Sequence, residues 1–368
     1  MAETKTDGME ERVRPGELSL FLSSSPHIVS PVTTARLMGN MLLALAPVTV
    51  YGVILFGLPA LLTVIVSTVS AVAAESLFRI ITGKKVRAAD LSAGVTGLLL
   101  ALVLPPSTPF WITALGAVFA VVAAKEFFGG LGANVFNPAL AGRAFLLMSF
   151  PVALTAWHRP ATGFVLRLPG SLGAPVDGIS GVTPLGITSG ESAAGVGKAF
   201  FASGLSSSAD YLSTIRTLFT GNHAGSIGET SALLILAGMI FLLIKKTIDW
   251  RAPLSMIAAS FITAFAVGLD PLFSVLSGGL LFGAVFMTTD YVTSPLAARG
   301  KWIFGAGAGI IVILIRKWGS YPEGVTYGIL IMNAFVPFLN RLLPRKYGFT
   351  PKKKASSRRR EPGGGTAK

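Results

Sequence analysis

The sequence has no cysteine and little charge, and its acidic residues are few. Without cysteine the chain forms neither disulfides nor thiolate sites for zinc or iron–sulfur clusters, so any redox chemistry requires a bound organic cofactor or a partner protein. Charged residues make up 13% of the 368 residues and hydrophobic residues 52%, whereas a soluble domain carries about 25% charge. Too little polar surface remains to cover a water-soluble globule, and the composition predicts a polytopic membrane protein.

Apolar stretches long enough to cross a hydrocarbon core recur from Leu37 to Leu342. They predict an all-α fold with about ten transmembrane helices. The predicted spans are 37–55, 58–78, 91–104, 110–125, 137–157, 231–245, 252–268, 271–287, 302–316 and 325–342. The third stretch ends at Pro105-Pro106, and because proline cannot continue the backbone ladder, it is predicted to be a half-helix whose freed backbone groups face protein or water.

The 31 basic residues outnumber the 17 acidic ones and fall between apolar runs and in the C-terminal tail. This distribution favours membrane orientation over nucleic-acid binding, and the positive-inside rule places both termini in the cytoplasm. Only Arg316 and Lys317 oppose that orientation. The predicted regions are a cytoplasmic N-terminal segment (1–36), a first membrane repeat (37–157) and an extracytoplasmic loop (158–230). A second membrane repeat (231–342) and a basic cytoplasmic tail (343–368) follow.

The two membrane regions resemble each other weakly. Aligning Phe128–Phe145 with Trp318–Phe335 pairs Gly129 with Gly319 and several apolar positions. In the predicted topology the matched spans run in opposite directions, which is typical of an inverted repeat of five plus five helices with a site near the repeat interface. Chance similarity between helices rich in glycine, alanine and leucine is the alternative explanation.

Isolated charged residues inside apolar runs are candidate functional groups, because an intramembrane charge needs a partner. Arg143 is predicted either to contact a flavin or a carboxylate of a transport pathway, or to extend its charge to the headgroups. Glu75 is either an ion-pathway residue or the i+4 partner of Arg79. Asp270 and Asp290 stand at span boundaries, where solvated helix ends are expected. The three histidines have no metal-ligand spacing, and no metal site or catalytic residue is predicted.

The loop between the two regions contains Asp-Gly-Ile-Ser-Gly-Val-Thr-Pro-Leu at 177–185, a turn-forming strip with two hydroxyls. Alone it indicates only an exposed loop. The strip resembles the flavinylation motif of the membrane subunits RnfD and NqrB. Further stretches across the chain resemble RnfD: Ser24–Ile28, Ser92–Gly97, Val135–Phe145, Asp270–Phe273 and Tyr321–Val325. The short N-terminal segment is similar to RnfD rather than to NqrB.

The resemblance implies that FMN is joined through its phosphate to Thr183 by a flavin transferase. Asp177, Ser180 and Gly181 are then the recognition residues of the motif, while Val182 departs from the alanine usual at its position. The resemblance also suggests a noncovalent flavin such as riboflavin. The residues considered for it, at span ends, are Asn137, Pro138, Thr288, Thr289 and Asp290.

The same resemblance implies an electron-transfer subunit of the Rnf complex, which couples electron transfer between ferredoxin and NAD to translocation of Na⁺ or H⁺. Its partners are then the A, B, C, E and G components of Rnf, together with membrane lipids, and its place is the bacterial inner membrane. Two alternatives stay open. One is an NqrB-like subunit of a sodium-pumping quinone reductase, and the other is a non-redox solute channel or transporter, since broken helices and inverted repeats are also transporter features.

Overall fold

The computed structural model describes residues 32–86, 88–157, 185, 196, 211–221, 223–319 and 323–342, and every regular element of more than one residue in these ranges is a helix. In chain order the α-helices are α1 (Thr34–Phe56), α2 (Leu58–Ile81), α3 (Ser92–Leu102), α4 (Phe110–Val121), α5 (Pro138–Ser149), α6 (Pro151–Thr155), α7 (Tyr211–Thr220), α8 (Ala232–Ile244), α9 (Arg251–Val267), α10 (Pro271–Leu276), α11 (Leu280–Phe282), α12 (Ala298–Trp318) and α13 (Val325–Leu339). Wider π turns continue α4 over Val122–Glu126 and α11 over Gly283–Met287. Short 3₁₀ turns occupy Ala88–Asp90 and Asn340–Leu342.

Each of the ten predicted stretches contains a helix. Among the described residues, four helical segments are long and apolar enough to cross a membrane: α1, α2, α12 and Val325–Leu342. The chain is therefore consistent with a polytopic membrane protein, while the number of crossings and the inverted repeat stay predictions.

Several helices begin at a side chain that the sequence places for capping. Asn137 accepts hydrogen bonds from the N–H groups of Ala139 and Leu140 at the start of α5, and Asp270 accepts one from Phe273 N–H at the start of α10. Both are followed by proline, which suits the first helical turn. Asp270 is buried and also accepts from the Tyr211 hydroxyl at 3.0 Å. The expectation that it is a solvated helix end was wrong, because its carboxylate is used inside the protein.

Two predicted spans differ from the structure. The stretch 271–287 is broken at Ser277–Gly279, between α10 and α11. The stretch 137–157 ends its first helix at Ser149, and a separate short helix, α6, begins at Pro151. A proline at position 151 removes a backbone donor and restricts the preceding residue, so the helix cannot run through it.

The predicted loop 158–230 also differs at its C-terminal end. Described residues between 223 and 231 are buried in the protein, and this connecting segment donates hydrogen bonds from Gly228 N–H to Leu102 O at 2.7 Å and from Ile227 N–H to Leu104 O at 3.2 Å. The carbonyls freed by the end of α3 are therefore satisfied by protein. This confirms the predicted half-helix and shows where its backbone groups are directed.

The helices pack in a similar order in the first half of the chain (32–157) and the second (223–342). Helix α2 packs on α3 and α4, and α4 on α5, while α9 packs on α10 and α12, and α12 on α13; α1 and α8 join the two halves. At the contact of α9 with α12, Gly305 lies against Ser255 and the Ala252 carbonyl with no room for a Cβ atom. Small residues allow such close approach between helices in membranes.

Candidate functional site

Four charged side chains are buried together where α2 and α4 end, here called the Lys125 end of the bundle. Lys125 Nζ lies 3.1 Å from both carboxylate oxygens of Glu75 and 2.7 Å from Ser92 Oγ. Arg79 donates to Glu126 Oε1 at 2.9 Å and lies 3.2 Å from Glu75 Oε1. Two acids and two bases balance, so the cluster has no net charge. Each buried charge has a partner of opposite sign, as a low-dielectric interior demands, although Glu126 Oε2 has no hydrogen-bond partner among the described residues.

The π turn of α4 explains how two adjacent residues both enter this cluster. Lys125 and Glu126 are consecutive, and both are buried. A π turn widens the helix locally, and such turns occur frequently at functional sites. Helical periodicity did not single out Lys125 and Glu126, whereas the i+4 pairing of Glu75 with Arg79 is confirmed. The paired arrangement supplies a structural role for Glu75; the ion-pathway role stays a prediction.

A small cavity opens beside this cluster, between α1, α3 and the two π turns. Its polar lining consists of Ser92, Thr96, Lys125, Asn134, Asn137, Thr289, Asp290 and Tyr291. Asn137 Nδ2 donates to Met287 O at 3.5 Å, and Asn333, on α13, accepts from Asn137 N–H at 3.1 Å when its amide is oriented to satisfy both of its neighbours. The cavity thus lies where the first half of the chain meets the second.

The size of the cavity limits what it holds in this conformation. Its volume is about 50 Å³, and one water needs roughly 10–15 Å³ on the same measure. A few water molecules fit, but a three-ring flavin does not. The polar lining could hydrogen-bond the predicted noncovalent flavin, but the cavity is too small to hold its ring system.

A second buried ionic group lies toward the other end of the bundle, here called the Glu323 end. Arg143 of α5 pairs with Glu229 of the connecting segment at 3.4 Å and with Glu323, just before α13. Its side chain is 7% exposed. Arg143 therefore contacts two carboxylates, and the headgroup alternative is wrong, because the buried guanidinium pairs within the protein. That these carboxylates belong to a pathway stays a prediction. A flavin contact of Arg143 stays a prediction.

A second buried arginine, Arg316, lies at the Glu323 end. It is buried in α12 and donates to the Ser274 carbonyl and, at 3.1 Å, to the Ser277 carbonyl. These carbonyls terminate α10, where the helix leaves acceptors without intrahelical partners. Arg316, one of the two basic residues that oppose the predicted orientation, is therefore not a solvated loop charge. It stabilises the broken helix.

The predicted flavin-attachment residues, Asp177, Ser180, Gly181 and Thr183, lie outside the described residues. Leu185, at the end of the motif, is described and buried. Its Cδ1 lies 2.6 Å from where a Cβ atom on Gly278 would be, in the break between α10 and α11. Leu185, which follows the predicted acceptor by two residues in sequence, therefore lies at the Glu323 end.

Sequence reasoning missed Lys125, Glu126, Glu229 and Glu323 as members of these sites. Glu229 falls in the predicted extracytoplasmic loop, 158–230. The feature of the sequence that could have indicated its burial is its position, two residues before the apolar run that begins at Ser231. Lone charges beside apolar runs are candidates for buried pairing, and the same argument had singled out Arg143.

Helices interrupted inside the bundle, with buried ion pairs at both ends, define a polytopic helical membrane protein of the broken-helix class. The particular family follows from comparison. Residues 21–348 match the model of the NQR2, RnfD, RnfE family, so the chain belongs to that family.

Individual relatives agree with this assignment over nearly their whole length. The chain is 39% identical over 336 residues to the D subunit of the proton-translocating ferredoxin:NAD(+) oxidoreductase complex of Clostridium ljungdahlii, covering 89% of this chain and 96% of the relative. It is 40% identical over 341 residues to the D subunit of the Na(+)-translocating ferredoxin:NAD(+) oxidoreductase complex of Acetobacterium woodii, covering 92% and 98%. The D subunit of the ion-translocating oxidoreductase complex of Stutzerimonas stutzeri is 41% identical over 336 residues, covering 85% and 92%.

Proposed function

We propose that this chain is the integral membrane electron-transfer subunit of an ion-translocating ferredoxin:NAD⁺ oxidoreductase complex of the Rnf type. The observation that carries the proposal is the similarity to the D subunits of such complexes at 39–41% identity over almost complete chains. A chain without cysteine holds no thiolate-ligated iron–sulfur cluster. The sequence also contains no glycine-rich nucleotide-binding fingerprint. In this proposal ferredoxin and NAD are handled by other subunits of the complex, the expected A, B, C, E and G partners.

The proposed cofactor is FMN joined to Thr183 as a phosphate ester. Asp177, Ser180 and Gly181 supply the motif that a flavin transferase recognises, and a glycine-rich strip gives the hydroxyl of Thr183 the access that in-line attack on phosphorus requires. When bound, FMN accepts and releases one or two electrons. Thr183 would attach it, and Leu185, two residues later in sequence, packs beside Gly278 at the Glu323 end.

The buried ion pairs support a role for the chain as a fixed frame within the complex. Arg143 links α5 to the connecting segment and to the start of α13, so one side chain ties three separate parts of the chain. Lys125 does the same for α2, α3 and α4 at the other end. Buried pairs of this kind tolerate little displacement, because separation leaves an uncompensated charge.

The proposed coupling ion is either Na⁺ or H⁺. A relative named as proton-translocating and one named as Na⁺-translocating are 39% and 40% identical to this chain. Overall similarity therefore does not separate the two ions. The distinction rests on particular residues, and ion dependence of transport measures it directly.

The proposed orientation puts the Lys125 end at the cytoplasmic face of the inner membrane, with both termini, and the flavin strip outside. It is supported by exposed basic residues at the Lys125 end: Lys84, Lys85, Lys245, Lys246, Arg299 and Arg341. The positive-inside rule favours the cytoplasm for such a cluster. At the Glu323 end Arg316 is buried, so fewer basic side chains are exposed there: Arg216 of α7 is exposed and Lys317 is half-buried.

The experiment compares complexes purified through a tag on this chain. The complex with the wild-type chain, reconstituted in vesicles, is expected to couple ferredoxin oxidation and NAD⁺ reduction to ion uptake. The complex with Thr183→Ala is expected to assemble and lose that activity, while Thr188→Ala, a threonine of the same region outside the motif, keeps it. An assembled complex in which Thr183→Ala is fully active contradicts the flavin role. A chain that purifies alone and carries solute across vesicles supports the transporter alternative instead.

A further inference from the structure

Basic and aromatic side chains gather at the Lys125 end, where α8 gives way to α9 and where α12 begins. Within residues 241–251 and 298–302 there are five basic residues and one acidic residue, Asp249. An excess of one sign of charge on a surface attracts partners of the opposite sign. The surface is here called the α8–α9 patch, and its members are Lys245, Lys246, Trp250, Arg251, Lys301 and Trp302.

Asp249 holds two cations of the patch in place. Its Oδ2 accepts from Lys301 Nζ at 2.9 Å and from Arg251 Nη1 at 3.1 Å. The side chains of Arg251 and Lys301 nevertheless stay 38% and 22% exposed, and an arginine carries five N–H donors in a fixed fork. Both cations are therefore held at defined positions and keep donors for a second, anionic partner.

Two tryptophans form a wall beside these cations. Trp250 and Trp302 pack edge to face with ring centroids 5.7 Å apart, and the Arg251 guanidinium lies 5.8 Å from the Trp250 ring. Both rings are exposed. Exposed tryptophan is enriched at the headgroup level of membranes, where its ring meets apolar chains and its N–H donates hydrogen bonds. The wall indicates that the patch lies at this level.

Lys246 has a backbone conformation that lysine seldom adopts. Its φ is +53°, and it follows the end of α8, where Thr247 N–H donates to Leu242 O at 2.9 Å. Glycine is usual at this position of such a helix end, because a Cβ atom is disfavoured in the left-handed region. The chain instead places a second exposed cation beside Lys245. Strain of this kind marks a candidate functional position.

An exposed apolar stripe leads from the patch along α9. Leu254 follows Trp250 by four residues, Phe261 follows Leu254 by seven, and Phe265 follows Phe261 by four, so they share one face of the helix. All of them are exposed. A phospholipid joins a charged headgroup to apolar chains, and the patch and the stripe match these two parts in the same order. An acidic protein surface matches the cations but not the stripe.

We propose that the α8–α9 patch is a binding site for an anionic phospholipid of the surrounding membrane. Its phosphate accepts hydrogen bonds from Arg251, Lys245 and Lys246, and its acyl chains lie along the stripe of α9. Hydrogen bonds from arginine to phosphate are strong and directional, and basic clusters beside membrane helices bind such headgroups. The inference is independent of the flavin, because it uses no residue of the attachment motif.

The first test uses lipids with brominated acyl chains, because bromine quenches tryptophan fluorescence at short range. The full chain is reconstituted in phosphatidylcholine vesicles that contain a small fraction of brominated phosphatidylglycerol, which is anionic, or of brominated phosphatidylcholine. The anionic probe is expected to bind about tenfold more strongly or better. Trp250→Phe with Trp302→Phe is expected to remove most of the difference in quenching, because these two rings of the five tryptophans in the chain lie at the site.

The second test removes cations and keeps both tryptophans. Each basic residue near an anionic surface is worth about fivefold in binding, so Lys246→Gln with Arg251→Gln is expected to weaken binding of the anionic probe by about tenfold or more. The control, Lys84→Gln with Lys85→Gln, removes the same charge from exposed lysines of the same end and is expected to bind like the wild type. Lys246→Gly is expected to raise the unfolding midpoint without lipid, since glycine relieves the strain, and still to weaken binding.

Three results overturn the proposal. Equal quenching by the two brominated lipids shows that the patch has no preference for an anion. Displacement of the anionic probe by inorganic phosphate at the same concentration shows that the site takes a free phosphate rather than a lipid. Unchanged lipid binding by the Lys246→Gln, Arg251→Gln chain, together with loss of other subunits from the purified complex, shows that the patch takes an acidic protein surface.

Discussion

Lys125 Nζ lies 3.1 Å from both carboxylate oxygens of Glu75, and the two side chains are 1% and 3% exposed. Such a pair costs much desolvation to form, yet it is strongly destabilising to break, because removal of one partner leaves a buried charge. The pair joins α2 to the π turn that follows α4, beside the cavity between the two halves.

Lys125→Met is expected to lower the stability of the folded protein by about 3–5 kcal/mol, since Glu75 would keep only Arg79 as a charged partner. The matched control is Lys301→Met, which removes the partner of Asp249 from a pair whose side chains are 22% and 24% exposed. Partly exposed pairs contribute about 0–1 kcal/mol. Thermal unfolding in detergent compares the two variants, and equal shifts of the midpoint would show that burial of the Lys125 pair is unimportant.

Arg143→Met is expected to destabilise the protein by a similar amount, because Glu229 and Glu323 would be left without the cation between them. Adding Glu229→Gln and Glu323→Gln is expected to restore part of the loss, since the residues act as one network and their effects are not additive. Arg216→Met, at an exposed arginine of α7, serves as the control. A triple variant less stable than Arg143→Met would contradict the network.

Asp249, in the connection between α8 and α9, gives a pH-dependent prediction. Partial burial raises the pKa of this carboxyl, but hydrogen bonds from Lys301 and the Arg251 N–H outweigh it, so the pKa lies below its ordinary value of 3.8. A lowered folded-state pKa stabilises the protein above the unfolded value, and that contribution disappears as the pH falls through the folded value. The wild type is therefore expected to exceed Asp249→Asn in stability at neutral pH, with the difference shrinking below about pH 4. Unfolding midpoints between pH 7 and pH 3 measure it, and a difference that widens toward acid would be inconsistent with the pairing.

The cysteine-free chain makes the proposed orientation directly measurable. A single cysteine at Lys84, at the Lys125 end, is expected to react with a membrane-impermeant maleimide only after the cells are permeabilised. A single cysteine at Ser206, in the predicted extracytoplasmic loop, is expected to react in intact cells. The unmodified chain provides the unlabelled control, and the reverse pattern would invert the topology.

The sequence predicted the helices better than the contacts between them. Hydropathy placed a helix in each stretch, and Pro105-Pro106 correctly ended α3. The break at Ser277–Gly279 was missed because glycine and serine are common in membrane helices, where they also serve packing. Its geometry depends on Arg316, a residue about forty positions away in the chain, and no local pattern reveals such a partner.

The sequence predicted those contacts of the candidate site that depend on spacing along one helix, but not the contacts between distant parts of the chain. The pair Glu75–Arg79 follows from i+4 geometry, and the need of Arg143 for a partner follows from its apolar surroundings. The identity of that partner did not follow, since Glu229 reaches Arg143 only because the connecting segment folds back on Leu102 and Leu104. Likewise, Lys125 enters its cluster through a π turn, which departs from the helical period that sequence analysis assumes.

The most direct test of the central claim is the ultraviolet fluorescence of the denatured protein band after co-expression with a flavin transferase. The account predicts a fluorescent band for the wild-type chain and for Thr188→Ala, and a dark band for Thr183→Ala, because only a covalent flavin survives denaturation. A dark wild-type band beside an active transferase, verified on a known substrate, would contradict the covalent flavin on Thr183.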